Sequence, residues 1–312
     1  MKPKVTIGIC VKNAETTIKE AIESILNQDF PPELVELIIV DGCSSDKTLS
    51  IVKDCLRGAK FRTKIFTEKG GLGWQRQIVV ENAEGDYILW VDADMILPKD
   101  HIKRQVDFME KNPKVGIAKG IESLKNVKGV LPTLEVLSRS VEKMVNHQSS
   151  KKNIYSKTLG TGGSIYRTKI IRDVGGFDKN LKYYCEDWDI EVRVRVSGWL
   201  LAITDAEYFD YERHGVTWKS LWKKYWLRGY YTHYFLHKRP GLIRHYRMFP
   251  PAALVAGILH AQKLFKLLRK MIVFLLPLQY VFKSAAWYTG FICLLYTSDA
   301  ADEGLGVDLG GR

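Results

Sequence analysis

Two aspartates, Asp92 and Asp94, follow directly after the apolar run 87–91, which has the composition of a buried strand. Open α/β sheets bind their ligands at the carboxyl ends of their strands. Because residues two apart at a strand end point the same way, both carboxylates can approach one hard cation, Mg²⁺ or Mn²⁺. The alternative interpretation is an ordinary pair of loop-capping aspartates.

The surrounding pattern of apolar residues predicts the elements that position these aspartates. Strands alternate with amphipathic helices through the first 90 residues, which predicts an α/β fold with a mostly parallel sheet flanked by helices. The predicted strands are 5–11, 35–40, 63–67 and 87–91, and the predicted helices run from 18 to about 28, from after residue 46 to about 56, and from about Trp74 onward.

Two more polar residues lie where the predicted sheet would hold a ligand. Asp41 ends the second strand, where its carboxylate can accept the N–H of a nucleobase such as uracil; the alternative is a turn that only caps the next helix. Arg76 lies in the first turn of the third helix, placed to reach a phosphate or to hold Asp41 or Asp92. A solvated arginine on a helix surface is the alternative.

The second half of the chain adds a glycine-rich segment and a cluster of acids. Gly162 and Gly163 allow the backbone to approach a ligand closely, or simply form a tight turn into a strand. Glu186 and Asp187 open a predicted helix, where the helix dipole stabilises acids without any catalytic role. His214 follows a strand-like run at 200–204 and a polar segment at 205–212, and is alternatively structural or solvated.

These motifs, in this order, resemble the family-2 glycosyltransferases of the GT-A fold. The resemblance is carried by Val5-Thr6-Ile7-Gly8-Ile9, by Ile38-Ile39-Val40-Asp41-Gly42-Cys43-Ser44-Ser45-Asp46-Lys47-Thr48, by Ala83-Glu84-Gly85-Asp86 and by Val91-Asp92-Ala93-Asp94. It implies that Asp41 holds the nucleobase, that Asp92 contacts ribose or metal, and that Asp94 ligates the metal on the sugar-nucleotide diphosphate. Gly42-Cys43 departs from the Asp-Gly of many members.

The resemblance extends to the second half of the chain. Residues 157–167, which include Gly162 and Gly163, resemble the acceptor-side segment of the family. Residues 183–191 resemble its Glu-Asp motif, which implies that Asp187 is the general base and that Glu186 orients the substrate. His214 corresponds to a histidine that joins the metal–diphosphate site.

The charge distribution points to an anionic surface. The net charge is +12, and from Arg213 to Tyr296 there are fourteen Lys and Arg and no Asp or Glu. Trp218, Trp222 and Trp226 share one helix face beside lysines, which suits the headgroup region of a bilayer. A helix packed on the catalytic core is the alternative. Nucleic acid is not the expected partner, because apolar runs interrupt the basic stretch and no reader motif is present.

Two apolar runs, 252–259 and 271–282, follow a predicted linker around Pro240 and Pro250-Pro251. Twelve helical residues cover about 18 Å of a hydrocarbon core of about 30 Å, so neither run spans a bilayer alone. A longer span, 271–292, would include Lys283, and inserting a lysine at the centre of the bilayer costs roughly 3 kcal/mol. We therefore expect membrane association, either re-entrant or with one span, and the Lys and Arg excess predicts a catalytic domain at the cytoplasmic face of the membrane.

Three segments are predicted: a GT-A catalytic domain at 1–240, a basic and apolar membrane-associated helical segment at 241–292, and a non-native tail at 293–312. Five scattered cysteines without metal or disulfide spacing suit a reducing compartment. The expected activity is metal-dependent, inverting transfer of a sugar from a UDP-sugar to a lipid-linked or polysaccharide acceptor. The alternatives are a nucleotidyltransferase acting on a sugar phosphate and a catalytically silent, membrane-bound nucleotide-binding scaffold.

Overall fold

A computed structural model describes residues 2–123, 127–149, 159–210, 215–238 and 249–295. The strands in these ranges are β1 (Val5–Val11), β2 (Val35–Asp41), β3 (Arg62–Thr67), β4 (Tyr87–Trp90), β5 (Met95–Ile96), β6 (Val115–Glu122), β7 (Ser164–Arg167) and β8 (Leu200–Asp210). The helices are α1 (Ile18–Leu26), α2 (Thr48–Cys55), α3 (Leu72–Asn82), α4 (His101–Lys111), α5 (Val130–Ser149), α6 (Thr168–Asp173), α7 (Glu186–Val196), α8 (Trp218–Lys238), α9 (Pro250–Leu268) and α10 (Leu276–Leu295).

All eight strands form one sheet, in the order β3-β2-β1-β4-β7-β6-β8-β5. The first four strands along the chain pair in parallel, as the alternation of strands and helices predicts. β7 then lies antiparallel between β4 and β6, and β8 is parallel to β6. Because β7 is antiparallel, its amino end lies at the edge of the sheet where β4 ends.

The central strands β1, β2 and β4 are buried on both faces, which explains their mostly apolar sequences. Alternate residues of β1, β2 and β4, such as Ile7, Leu37 and Leu89, contribute to one core cluster. The intervening residues, such as Ile38 and Trp90, contribute to the other. The central strands therefore hold their carboxyl ends in a rigid position.

The chain divides into two compact units. The first contains residues 1–125 and 152–212, and hence the whole sheet; the second contains residues 126–151 together with the chain from 213 onward. α8 thus groups with α5, α9 and α10, whereas the sequence analysis ends the catalytic domain at residue 240. That functional boundary stays a prediction.

Two boundaries expected from the sequence are wrong. Pro250 and Pro251, expected in a linker, form the first turn of α9, where a missing N–H breaks no helical hydrogen bond. The strand expected at 200–204 continues into the polar segment that follows it, and β8 ends at Asp210. Among the described residues, Met271–Cys293 is the one helical stretch that is long and apolar enough to cross a bilayer.

Candidate active site

The turn after β2 is closed by Asp41. This carboxylate is 1% exposed, and its two oxygens accept hydrogen bonds from Ser44, one from the backbone N–H at 3.1 Å and one from the hydroxyl at 2.5 Å. The start of α2 is capped by another residue, since Asp46 Oδ1 accepts the N–H of Thr48 at 3.0 Å. Each Asp41 oxygen keeps a second lone pair for a ligand N–H.

The loop after β1 is tied to this turn by a residue that sequence reasoning did not select. Asn13, in the left-handed region at φ 50°, accepts the N–H of Ser45 at 2.9 Å through its side-chain oxygen, and its own N–H donates to the Ser44 hydroxyl at 2.9 Å. An asparagine two residues after an apolar strand was the available signal, because asparagine tolerates this conformation better than most residues.

Asp92 and Asp94 lie at the carboxyl end of β4 and are both half-buried. A Cβ added to Gly162 would overlap Oδ2 of Asp92, so only glycine leaves this carboxylate its present position. β1 separates β4 from β2, so these strands lie two strand spacings, roughly 10 Å, apart across the sheet, with their carboxyl ends at the same edge. Asp41 and Asp92 therefore face the same side of the molecule.

The donor atoms at this edge suit Mg²⁺ or Mn²⁺. Carboxylate oxygens are the ligands these cations prefer, and one or two usually suffice when water and phosphate complete the shell. Across the described ranges no group of three His, Cys, Asp or Glu is arranged to hold a metal ion alone. Asp92 and Asp94 thus fit a metal that shares its shell with a diphosphate, and His214 lies outside the described residues.

Arg76 forms a buried ion pair with Glu186, rather than with Asp41 or Asp92 as the sequence suggested. Its guanidinium also lies 5.9 Å from the ring centroid of Trp90. Burial disfavours the charge on Arg76, but Glu186 and then Asp92 raise its pKa overall. Burial raises the pKa of Glu186 against the opposing effect of Arg76.

Three acids stabilised by the helix dipole open α7: Glu186, Asp187 and Asp189. The acids differ in their contacts. Asp189 pairs with Arg193 at 2.6 Å, whereas Asp187 is half-buried and its Oδ1 accepts the N–H of Trp188 at 2.8 Å. A Cβ on Gly160 would lie 3.5 Å from the other Asp187 oxygen. Asp187 therefore borders the glycine-rich segment.

The described part of that segment, residues 159–163, passes between Asp92 and Asp187. Gly163 adopts φ 71°, and its N–H donates to the Trp90 carbonyl at 2.9 Å, which ties the segment to the end of β4. Gly162 packs on Asp92. The glycines thus form a tight turn into β7 and also allow the backbone to approach acidic side chains closely.

Glu191 is a site residue that the sequence analysis missed. It is fully buried, one helical turn after Asp187, and accepts the backbone N–H groups of Leu159 at 3.0 Å and Gly160 at 2.6 Å. Burial, reinforced by Asp187, raises its pKa to about 8. The signal in the sequence was its spacing of four from Asp187, which places both on one face of α7.

The chain is similar in sequence to known glycosyltransferases. The poly(ribitol-phosphate) beta-N-acetylglucosaminyltransferase TarS of Staphylococcus aureus is 32% identical over 110 residues, which cover 35% of this chain and 19% of TarS. A dolichyl N-acetyl-alpha-D-glucosaminyl phosphate 3-beta-D-2,3-diacetamido-2,3-dideoxy-beta-D-glucuronosyltransferase of Methanococcus voltae is 30% identical over 169 residues, covering 53% of this chain and 48% of the relative. The chain thus spans about a fifth to a half of such relatives.

Solved structures show the same fold. The mannosyltransferase PcManGT of Pyrobaculum calidifontis superposes with a TM-score of 0.67 at 16% identity, covering 97% of this chain and 89% of that one. A crystal structure of S. aureus TarS superposes with a TM-score of 0.53 at 21% identity, covering 94% of this chain and 55% of that one. The predicted GT-A fold is confirmed. The profile of Glycosyl transferase family 2 matches residues 6–174, more than half of the 312 residues, and the chain therefore belongs to this family.

Proposed function

We propose that the protein is a metal-dependent, inverting glycosyltransferase that moves a sugar from a UDP-sugar to a lipid-linked or polysaccharide acceptor. One observation supports the proposal: the glycine-rich segment borders both Asp187 and Asp92, which follows the end of β4. A carboxylate for a diphosphate site and a separate carboxylate for an acceptor thus border one segment of backbone.

The donor half is assigned to Asp41, Asp92 and Asp94. Asp41 accepts a base N–H with its remaining lone pairs, and the spacing of roughly 10 Å to the end of β4 is one that a nucleoside diphosphate bridges. A divalent metal bound here would neutralise the departing diphosphate, which is worth several kcal/mol in the transition state. In support, TarS has been solved with UDP-GlcNAc and PcManGT with GDP-Man and Mn²⁺.

The acceptor half is assigned to Asp187 as general base. Its carboxylate takes the proton of the acceptor hydroxyl while that oxygen bonds to the anomeric carbon, and the bond to the diphosphate breaks with its electron pair on the diphosphate. One displacement inverts the anomeric configuration, and a positioned base contributes roughly 10²–10⁴-fold. Glu186, held by Arg76, orients the substrate.

The donor assignment is tested by calorimetry of UDP and GDP binding to the full chain, with and without Mn²⁺. We expect Mn²⁺ to strengthen UDP binding, and Asp94→Ala to remove that metal effect while the exposed Asp107→Ala on α4 leaves it unchanged. Tighter GDP than UDP binding would reassign the nucleotide. An Asp94→Ala protein that keeps the metal effect would refute the metal site.

The base assignment is tested with Asp187→Asn, which keeps the size of the side chain. We expect transfer to fall by about 10²–10⁴-fold with UDP binding retained. Release of UDP from the donor distinguishes glycosyl transfer from nucleotidyl transfer, which releases pyrophosphate. Binding without turnover of any donor would favour the silent scaffold, and full turnover by Asp187→Asn would exclude this residue as the base.

Membrane association is the second part of the proposal. It rests on the acid-free, basic stretch from Arg213 to Tyr296 and on the apolar helix Met271–Cys293. The excess of Lys and Arg favours a catalytic unit on the cytoplasmic face, where nucleotide sugars are made. A membrane surface would also present a lipid-linked acceptor.

A further inference from the structure

The helices α9 and α10 form an antiparallel hairpin in the second unit. Phe249 contacts Tyr288 edge to face with ring centroids 5.8 Å apart, and the ring centroids of Phe265 and Phe274 lie 5.0 Å apart near the turn. Between them, Gly257 allows the backbone of α9 to touch that of α10 at Pro277. The hairpin is therefore a packed pair of helices with one face directed inward and one outward.

The outward face of this hairpin is apolar. Of the fifteen exposed large hydrophobic side chains in the described residues, nine lie between residues 249 and 278. On α9 they recur at helical spacing, opposite buried Ala253, Gly257, Ala261 and Leu264. We call the following set the apolar face: Leu254, Val255, Ile258, Leu259, Phe274 and Leu278. A monomeric soluble protein seldom exposes so concentrated an apolar surface.

The turn of the hairpin is basic. Lys263, Lys266, Arg269 and Lys270 are all exposed and lie between the α9 and α10 parts of the apolar face. No Asp or Glu occurs between Arg213 and Tyr296 to neutralise them. Exposed apolar side chains bordered by exposed cations match the acyl boundary and the phosphate groups of an anionic bilayer.

The inward face of α10 holds a charge that prevents this helix from acting as a simple lipid-exposed span. Lys283 is buried, and its ammonium donates to Glu135 of α5 at 2.8 Å and to the hydroxyl of Ser138 at 2.7 Å. Gln279 also donates to Glu135, at 3.2 Å. Lys283 additionally lies 4.7 Å from the ring centroid of Tyr225 on α8. Removing α10 from these partners would leave Glu135 buried without the Lys283 ammonium, which is strongly unfavourable.

α10 is also held against α8 by direct backbone contact. A Cβ on Gly229 would overlap the Trp287 carbonyl, and a Cβ on Gly290 would overlap that of Trp226. With α5, α8 and α9 all packed against it, α10 has protein neighbours where a lone membrane span would have lipid.

We infer that the second unit is a monotopic membrane anchor, in which the apolar face enters one leaflet of an anionic bilayer, the basic turn binds lipid phosphates, and α10 stays within the protein without crossing. This rests on the membrane association proposed above and chooses between its two forms. Both ends of the hairpin then lie on the side of the membrane that holds the catalytic unit.

Flotation of the full chain with vesicles tests the surface. We expect binding to phosphatidylcholine vesicles containing phosphatidylglycerol, and little binding to phosphatidylcholine alone. Lys263→Glu/Lys266→Glu removes two favourable charges and should weaken binding by at least about 30-fold. Leu254→Asn/Ile258→Asn should weaken it tenfold or more. Matched controls in the first unit are Lys53→Glu/Lys60→Glu and the exposed Val196→Asn.

Cysteine labelling tests the topology. Cys43 in the first unit and Cys293 at the end of α10 are both exposed. Sealed vesicles prepared from cells expressing the chain, with the cytoplasmic face outward, are treated with a membrane-impermeant maleimide, and the modified peptides are identified by mass spectrometry. A monotopic unit gives modification of both cysteines without detergent.

The outcomes separate the inference from the proposals on which it depends. Flotation with Cys293 modified only after detergent would overturn the monotopic arrangement while keeping membrane association. No flotation, or flotation that the hairpin variants leave unchanged, would overturn the surface assignment, and UDP calorimetry would still report the donor site independently. Loss of a dimer in Leu254→Asn/Ile258→Asn, without flotation of the native chain, would assign the face to self-association instead.

Discussion

Glu191 offers a sharp test of how the proposed acceptor side of the site is built. Its two oxygens face the N–H groups of Leu159 and Gly160, and burial holds its pKa at about 8. At pH 6 the side chain is then a neutral acid whose Oε1 accepts both N–H groups. Glu191→Gln reproduces that neutral shape, so we expect a change in the free energy of unfolding of less than about 1 kcal/mol at pH 4.5, below the window in which the native side chain loses stability. Glu191→Ala leaves two buried N–H groups unsatisfied, at about 1–3 kcal/mol each.

The sign of the pH dependence follows from the raised pKa. Between the ordinary carboxyl value of 4.5 and about 8, the folded protein binds more protons at Glu191 than the unfolded chain does. The stability contributed by this group is therefore full below pH 4.5 and is lost as the pH rises to about 8, at up to about 1.4 kcal/mol per pH unit. Glu191→Gln lacks this titrating group. Its free energy of unfolding should therefore rise relative to that of the native chain as the pH increases across that window.

Urea unfolding of both proteins at pH 5.5, 7 and 8.5 measures the difference, and hydrogen exchange of a peptide covering 159–163 localises it. The exposed Glu20→Gln on α1 is the matched control. A constant difference between Glu191→Gln and the native chain from pH 5.5 to 8.5 would show that burial does not hold Glu191 neutral. Unchanged exchange at residues 159–160 in Glu191→Ala would refute the anchoring role itself.

Two further predictions concern other contacts. Gly162→Ala places a Cβ on Asp92, so we expect metal-dependent UDP binding to weaken tenfold or more in calorimetry. Gly215→Ala, with open space around it, should have no effect. Equal UDP binding by both variants would show that Gly162 does not contribute to the donor site. Lys283→Met should lower the free energy of unfolding by about 3–5 kcal/mol, because it leaves Glu135 buried without its cation. Adding Glu135→Leu should restore much of that loss, and an additive double variant would contradict the pairing.

The local pattern of the sequence was sufficient for the first half of the sheet. β1, β2 and β4 are mostly apolar runs, interrupted by Thr6 and Glu36, because both faces of each strand are buried, and such runs are recognisable without knowledge of their neighbours. The same applies to Asp92 and Asp94, whose position depends only on where β4 ends. The antiparallel placement of β7 was not predictable, because strand order is set by contacts distant in sequence.

Where two side chains are distant in sequence, the sequence did not predict that they pair. Arg76 was expected near Asp41 or Asp92, yet its partner Glu186 lies 110 residues away. Lys283 was evaluated as a charge in lipid, whereas Glu135, 148 residues away, supplies a buried counter-charge. The periodicity of polar residues indicates which face of a helix is polar, but not which side chain of another element contacts that face.

The antiparallel insertion of β7 also bears on how such a chain can diversify. β6 ends at Glu122 and β7 begins at Ser164 as its direct neighbour in the sheet, so the polypeptide from 123 to 163 leaves and returns at the same edge. Length changes within this excursion do not alter the register of β1, β2 and β4, because neither end of it lies in those strands. The fold therefore allows the part of the excursion before Leu159 to change in length while the sheet edge that carries Asp41 and Asp92, with Gly162 packed on Asp92, is kept.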